Sequence, residues 1–319
     1  MNLNKDKIVD LLTLEDFSHI YKIADEIRKQ NVGEVVHIRG IIEFSNYCSR
    51  SCIYCGLNCN NTNIERYRME PDEIISLAKE AKQAGYQTIV LQSGEDSFFT
   101  ALKLGQIIEE IKKLDISITV SCGEMSFNEL EYLRQKGGDR YLLKHETGNS
   151  KLYSKLHSCG TLEDRLKCLK DIKSLGFETG SGFMIGLPGQ TLEIIAEDLL
   201  LLKEIGCEMA GIGPFIAHPD TPLAGKPSGS TELTKRAVAL ARILLPKVNL
   251  PVTTSLGVVD WEEQNKAFSC GANVIMKKLT PDKYKKLYKI YPSNFIHTDI
   301  IEDRKELEKQ IIKLGRIPL

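Results

Sequence analysis

The chain has 319 residues, with 42 lysines and arginines against 43 aspartates and glutamates. This balance gives no net field that would attract nucleic acid or an anionic membrane surface. No apolar run approaches the roughly 20 residues of a membrane span, and the N-terminus MNLNKDKIVD lacks the apolar core of a signal peptide. Nine cysteines, an odd number, favour a reduced, oxygen-poor compartment over a disulfide framework. We therefore expect a cytoplasmic protein.

Strand-like runs and amphipathic helical stretches alternate along the chain. A helical stretch covers about residues 5–30, and the stretch from Pro71 to Gly85 has proline and glycine where a helix begins and stops. The strand-like runs lie at 34–44, 87–92, 116–122, 139–144, 177–185, 208–214, 251–256 and 273–277. Eight such units, joined by right-handed crossovers, predict an α/β fold, a (β/α)8 barrel of the TIM type.

The predicted domain organisation is simple. No linker, low-complexity tract or internal repeat divides the chain. We expect a single barrel domain over residues 1–319, in which an N-terminal helix (about 1–33) precedes the barrel (about 34–280) and a helical segment (about 281–319) comes after it.

Three cysteines in YCSRSCIYCG come after the first strand-like run, namely Cys48, Cys52 and Cys55. A closed structural zinc site needs four ligands, whereas an iron-sulfur cluster held by three cysteines leaves one iron open to a small molecule. The spacing is typical of radical S-adenosylmethionine (SAM) enzymes, and it predicts one 4Fe-4S cluster with these cysteines as ligands. A zinc knob is the weaker alternative. Cys59 resembles a fourth ligand, but the open iron favours a surface thiol there.

Further candidates lie where barrel chemistry is expected, at the carboxyl ends of the strands. In LQSGED, a glycine turn exposes carbonyls and one carboxylate that could accept hydrogen bonds from an ammonium group, although a plain turn explains it too. For Arg165 the alternative is a solvated helix charge, and for Gly186 and Gly189 a strand-to-helix turn. The candidate SAM contacts are Tyr54, Gln92, Ser93, Gly94, Glu95, Lys144, Glu146, Arg165, Met184 and Gly186.

Longer segments carry a closer resemblance. IRGIIEFSNYC, CIYCGL, RYRM, IVLQSGED, RYLLKHET, IGLPGQT, GIGPFIAHPDTPL, ARILLP, VTTSLG and CGANVIM together resemble the HydE family of FeFe-hydrogenase maturases, from about residue 38 to 292. The resemblance implies reductive cleavage of SAM to a 5'-deoxyadenosyl radical, used in assembling the diiron subcluster of the hydrogenase. It also implies a cysteine-bound iron carbonyl cyanide complex as substrate, attacked at sulfur. Other maturases and a reductant protein are the implied partners.

The chain departs from the family pattern at two places. Lys144 stands where the resemblance predicts arginine, so the charge is kept but the planar bidentate fork is lost. The last cysteine is Cys270, so the C-terminal cysteine group that some relatives use for a second cluster is missing, and we expect only one cluster.

Substrate contacts are predicted inside the barrel. Arg39 lies in the first strand, where alternation points it inward and burial would be costly without a partner. That partner is either an anionic ligand or an acidic side chain of the barrel. Thr253 and Thr254 could offer hydroxyls to an anion, although threonine is also a good strand former. The remaining candidates come from the resemblance, with a core role as the alternative: Met209, Tyr288 and Tyr291.

Other interpretations stay open. His145 and His218 are expected to be structural, and five cysteines are expected to be small buried hydrophobes, namely Cys122, Cys159, Cys168, Cys207 and Cys270. An enzymatic alternative is a methylornithine synthase-like amino-acid mutase, and a non-enzymatic one is an iron-sulfur scaffold or carrier. The lysine-rich run at 277–289 is either a solvated helix face or a docking site for an acidic electron donor or maturase.

Overall fold

The computed structural model describes residues 3–292, 297 and 299–319, and its centre is a parallel β-barrel. Eight strands neighbour one another in the order β6-β5-β4-β3-β2-β1-β8-β7, and every adjacent pair is parallel. The strands are β1 Val35–Ser45, β2 Thr88–Ser93, β3 Ser117–Ser121, β4 Arg140–Leu142, β5 Glu178–Ile185, β6 Met209–Pro214, β7 Pro251–Val252, β8 Val274–Lys278 and the short β9 Ile317–Pro318.

The barrel is nearly closed. Between β6 and β7, the seam is bridged just before β7, where Met209 pairs with Asn249 and the Ala210 N–H donates to the Asn249 carbonyl at 2.9 Å. β9 adds to the amino end of β1, with Val35 opposite Ile317. The prediction of a TIM-type α/β barrel is confirmed.

Helices cover the outside of the barrel. In α3 the buried positions are Ile74, Leu77, Ala78 and Ala81, the 3–4 spacing that turns one apolar face to the sheet. No described helix has the length and apolarity to cross a membrane. The helices are α1 Lys5–Leu12, α2 Ser18–Val32, α3 Pro71–Gln83, α4 Ala101–Lys112, α5 Phe127–Gln135, α6 Ser150–Leu156, α7 Leu162–Ser174, α8 Leu192–Ile205, α9 Thr231–Leu244, α10 Thr254–Val259, α11 Trp261–Lys266, α12 Asp282–Lys285 and α13 Ile300–Lys313.

Two predicted elements differ from the structure. The N-terminal stretch is two helices, because Phe17 is buried in a break between α1 and α2. The seventh strand ends at Val252 rather than at residue 256, because the Thr253 side chain accepts the Leu256 N–H and starts α10. Part of the predicted C-terminal helical segment, residues 293–296 and 298, lies outside the described residues.

The carboxyl end of β1 sets the direction in which the chain leaves the barrel. The pairing of β1 with β2 is regular from Gly40 to Glu43 and then shifts between Glu43 and Ser45, a bulge that bends the strand at its end. The strand is buried along most of its length, since helices cover it outside and side chains fill it inside. The three-cysteine sequence begins three residues after the strand ends.

Candidate active site

The segment of residues 46–67, called here the cysteine loop, crosses the carboxyl end of the barrel. One side chain, Arg66, holds it in shape: its guanidinium donates to the carbonyls of Asn46 (2.5 Å), Leu57 (2.8 Å), Asn58 (2.7 Å) and Asn61 (3.2 Å). These four bonds fix the backbone on both sides of the three cysteines. Sequence reasoning did not assign Arg66, because its partners are main-chain atoms that no motif identifies.

Three half-buried thiols lie in this loop, on Cys48, Cys52 and Cys55. Burial raises the pKa of all three, that of Cys55 to about 12, and each thiol also lies within electrostatic range of another. Among the described side chains, however, no group of three converges closely enough for one metal ion. In an iron-sulfur cluster each thiolate binds a different iron, so the three thiols need not converge on one point.

A charge network beside the loop joins two predicted SAM contacts. The Arg50 guanidinium bonds to Glu95 (2.5 Å) and to Glu124 (2.9 Å), and Arg165 Nε lies 2.7 Å from the other oxygen of Glu124, as an ion pair rather than an aligned hydrogen bond. The Glu124 N–H in turn donates to Glu95 at 3.1 Å. Arg165 is therefore buried and paired, not a solvated helix charge. Arg50 and Glu124 were missed, since only the fold brings them together.

The turn after β2 lies directly on the cysteine loop. A side chain at Gly94 would place its Cβ 2.2 Å from the Tyr47 carbonyl oxygen and 2.7 Å from the Cys48 Cβ, so only glycine fits. The Glu95 N–H points at the Cys48 sulfur at 3.4 Å, and the Ser93 hydroxyl donates to the Gly94 carbonyl at 2.7 Å. This close approach explains the glycine of SGE.

Lys144 and Glu146 form a second charged pair at the end of β4, 2.9 Å apart. Burial alone would raise the pKa of Glu146, but the Lys144 ammonium holds that pKa below its ordinary value. Glu146 also has a left-handed backbone with φ of 64°, unusual for a residue with a side chain and typical of positions held for function. Lys144 thus has a carboxylate partner within the site.

Tyr54 is fixed by the segment after α6. Its hydroxyl lies 2.9 Å from Nε2 of His157, whose ring stacks on Tyr153 at 4.2 Å between centroids. Burial lowers the pKa of His157 to about 4, so the ring is neutral at physiological pH. His157 is thus a further positioning residue that the sequence analysis did not assign.

A cavity of about 230 Å³ runs down the barrel beneath the cysteine loop. Ten of the predicted site residues line it: Tyr54, Gln92, Lys144, Glu146, Met184, Met209, Thr253, Thr254, Tyr288 and Tyr291. Gly186, with φ of 86°, lies just beyond Met184 and approaches Gly229 so closely that a Cβ would be 2.4 Å from the Gly229 Cα. The fold therefore places ten of the predicted site residues around one cavity.

One predicted substrate contact, Arg39, lies behind the wall of this cavity rather than in it. Arg39 is 2% exposed, and its Nη1 contacts the Met209 sulfur at 2.7 Å, while its Nε has no hydrogen-bond partner. No carboxylate of the described residues lies within 4 Å of it, and Glu178, which acts on its charge from farther away, is bonded to Arg140 at 2.6 Å. Burial lowers the pKa of Arg39 to about 10. Arg39 does not line the cavity itself, because Met209 lies over it.

The hydroxyl groups of the remaining substrate candidates already have partners in the protein. Thr254 and Tyr291 share a hydroxyl contact of 2.7 Å, and the Gln92 amide donates to Tyr288 at 3.3 Å. The hydroxyl of Thr253 caps α10 and lies 3.2 Å from Ser255, so it is already in use.

The two histidines and most of the other cysteines lie where we expected them. His145 is fully buried against Ser181, and His218 is buried beside Gly56. Cys59 is exposed, as expected. Four of the five remaining cysteines are buried, but the expectation for Cys159 is wrong: it is only half-buried, and its sulfur accepts the Ser51 N–H of the cysteine loop at 3.3 Å, so it has a polar contact rather than a purely apolar one.

Comparison with known proteins agrees with this geometry. The profile of the Radical SAM superfamily matches residues 42–202. The [FeFe] hydrogenase maturase subunit HydE of Thermotoga maritima is 50% identical over 273 residues, 86% of this chain and 78% of that protein. The 3-methylornithine synthase of Methanosarcina acetivorans is 27% identical, over 99% and 90% of the two chains. The crystal structure of methylornithine synthase (PylB) superposes with a TM-score of 0.88 at 24% identity, covering 100% and 95%.

The chain belongs to the radical SAM superfamily and, within it, to the HydE family of [FeFe]-hydrogenase maturases. It is therefore an enzyme that uses a 4Fe-4S cluster and SAM. The residues present suit both groups, since the thiols of Cys48, Cys52 and Cys55 lie within electrostatic range of one another in the cysteine loop, and the cavity below has the charged groups of Lys144 and Glu146 in its wall.

Proposed function

We propose that Cys48, Cys52 and Cys55 each bind one iron of the cluster and that SAM occupies the upper part of the cavity. When bound, the reduced cluster supplies the electron that splits SAM into methionine and a 5'-deoxyadenosyl radical. The carbonyls of the turn at Ser93 and Gly94 accept from the methionine ammonium group. The paired groups of Lys144, Glu146 and Arg165 hold the polar ends of the cofactor, with Tyr54, Gln92, Met184 and Gly186 around it.

The substrate proposed for the lower part of the cavity is a cysteine-bound iron carbonyl cyanide complex. The observation that carries this proposal is the unpaired Arg39 beneath Met209, at the end of the cavity farther from the cysteine loop. A buried guanidinium without a carboxylate is costly unless an anion approaches it. Cyanide and carboxylate groups of the complex supply that anion, which acts on Arg39 across the Met209 side chain that covers it. Thr253, Thr254, Tyr288 and Tyr291 form the rest of the wall. The enclosed barrel keeps water from the reacting atoms.

Charge pairing argues against the mutase alternative. A substrate with a side-chain amine needs an unengaged carboxylate in the cavity. The carboxylates that line it, Glu43 and Glu146, are both engaged, by Lys278 at 2.8 Å and by Lys144 at 2.9 Å. The charged groups that line the cavity are therefore all paired with one another, and the charge that favours an anion over an amine is the unpaired Arg39 beneath Met209.

The test is turnover by the anaerobically reconstituted protein. With SAM, a reductant and the cysteine-bound iron complex, 5'-deoxyadenosine should form together with consumption of the complex. With L-lysine in place of the complex, no rearranged amino acid should appear. Rearrangement of lysine, or release of 5'-deoxyadenosine that the iron complex never stimulates, would refute the proposed substrate.

A further inference from the structure

A short segment, residues 282–290 and called here the lysine segment, packs directly on the cysteine loop. The Gly56 N–H donates to the Ile290 carbonyl at 2.9 Å, and the Asn46 side chain donates to the Leu287 carbonyl at 3.0 Å. Tyr284 stacks on Tyr67, with ring centroids 4.7 Å apart. Gly56 is next to Cys55 in the chain, so one hydrogen bond joins the lysine segment to the backbone beside a cluster ligand.

The lysine segment and the cysteine loop together form a basic region on a protein that has almost no net charge. Together they contain six basic and two acidic side chains, whereas the full chain has 42 and 43. Lys286 and Lys289 are exposed, and no carboxylate of the described residues lies within 4 Å of either. Lys283, in contrast, is engaged by Glu73 at 2.7 Å. Two exposed positive charges are therefore available to an outside partner, next to the cysteine loop.

We propose that Lys286 and Lys289, with the adjoining cysteine loop, are the docking surface for a small acidic one-electron carrier protein. Each reductive cleavage of SAM consumes one electron, which must come from outside the chain. A carrier docked here would give up one electron to a cluster held by Cys48, Cys52 and Cys55, and the Ile290–Gly56 hydrogen bond would place the carrier next to the Cys55 ligand. No covalent bond or proton changes place in this step. The inference rests on the proposed cluster site.

The positive charges of Lys286 and Lys289 attract the acidic carrier, so reversing these charges should slow its association with the protein. We would compare the wild type with the double variant Lys286→Glu/Lys289→Glu, using reduced flavodoxin as the acidic carrier. The matched control is Lys203→Glu/Lys247→Glu, which reverses two exposed lysines near the opposite, amino end of the barrel. Cluster reduction is measured by stopped-flow absorbance. Binding of flavodoxin to the cluster-free chain is measured separately by surface plasmon resonance.

The expected result is a fall of about tenfold or more in both the rate and the affinity at low ionic strength, with loss of the salt dependence. The control variant should behave as the wild type. Reduced methyl viologen, a small cation, should reduce the cluster of every variant without slowing. Unchanged flavodoxin binding, or an equal loss in the control, overturns the docking surface. A failure of the proposed cluster site is distinct: no variant would form a reducible cluster, while the binding comparison would still decide the surface.

Discussion

Two parts of the site hold their charges in opposite ways: the charge network beside the cysteine loop, called here the rim, and Arg39 beneath Met209, called here the floor. At the rim, Arg50, Glu95, Glu124 and Arg165 form a continuous network of ion pairs. At the floor, Arg39 is buried too, but it contacts the Met209 sulfur instead of a carboxylate. Paired charges keep a site in shape before a ligand arrives, whereas an unpaired buried charge gains stability only when the ligand comes. The rim is thus preorganised for its ligand, and the floor is suited to an anionic ligand.

The largest effect is expected from removing one of the proposed cluster ligands, next to the rim. Cys52→Ala removes one of three ligands, so reconstituted protein should fall from about four irons per chain to almost none, with no SAM cleavage. Iron analysis and 5'-deoxyadenosine release measure this. Cys59→Ala, which removes an exposed thiol of the same loop, should keep both. Full iron binding by the Cys52 variant would show that the cluster lies elsewhere.

Removing the side chain that shapes the loop should come next. Arg66→Met leaves four backbone carbonyls without their donor, and a charged hydrogen bond contributes about 1.5–3 kcal/mol. Arg66 is only half-buried, so water replaces part of what is lost, and we expect the unfolding free energy to fall by about 3–5 kcal/mol in total. Iron content should fall with it.

Arg236→Met is the matched control for Arg66, because Arg236 also donates to carbonyls, those of Leu12 (3.0 Å) and Leu14 (2.6 Å), away from the cysteine loop. Chemical denaturation should show a comparable destabilisation, yet iron content should stay full. Iron loss in both variants would mean that general instability, not loop shape, controls cluster binding.

A smaller effect is expected from removing the charge of Glu124, which joins Arg50 to Arg165 within the rim. Glu124→Gln keeps the shape but removes the negative charge between Arg50 and Arg165, which costs about 2 kcal/mol and weakens SAM binding about thirtyfold. Equilibrium binding of SAM to the reconstituted protein measures the change, with iron content unaltered. Glu129→Gln, at an exposed capping box of α5, is the control and should bind SAM normally. Equal affinities in the two variants would remove Glu124 from the cofactor site.

The sequence predicts some parts of the fold and of the site better than others. The strand boundaries of β1, β5 and β6 lie within one residue of the predicted ones, because long buried runs bounded by helical patterns leave little freedom. β7 was overestimated, since a Thr253 side chain that caps a helix looks the same in sequence as one that continues a strand. The cysteines and the glycine turn carry local signals. Arg50, Glu124 and His157 carry none, because their roles depend on residues 29 to 109 positions away.

Arg39 gives the smallest and most discriminating prediction. If the floor holds an anionic complex, Arg39→Met should lower turnover of that complex by at least about tenfold, the equivalent of 1.4 kcal/mol, and leave SAM cleavage without substrate intact. Stability should be unchanged or higher, because the variant no longer buries a charge that lacks a carboxylate. Arg140→Met is the control: it abandons Glu178, its partner at 2.6 Å, and should lower the thermal midpoint. Joint measurement of SAM cleavage, complex turnover and thermal unfolding separates the two roles. Full turnover by a well-folded Arg39 variant would show that the anion does not depend on this charge.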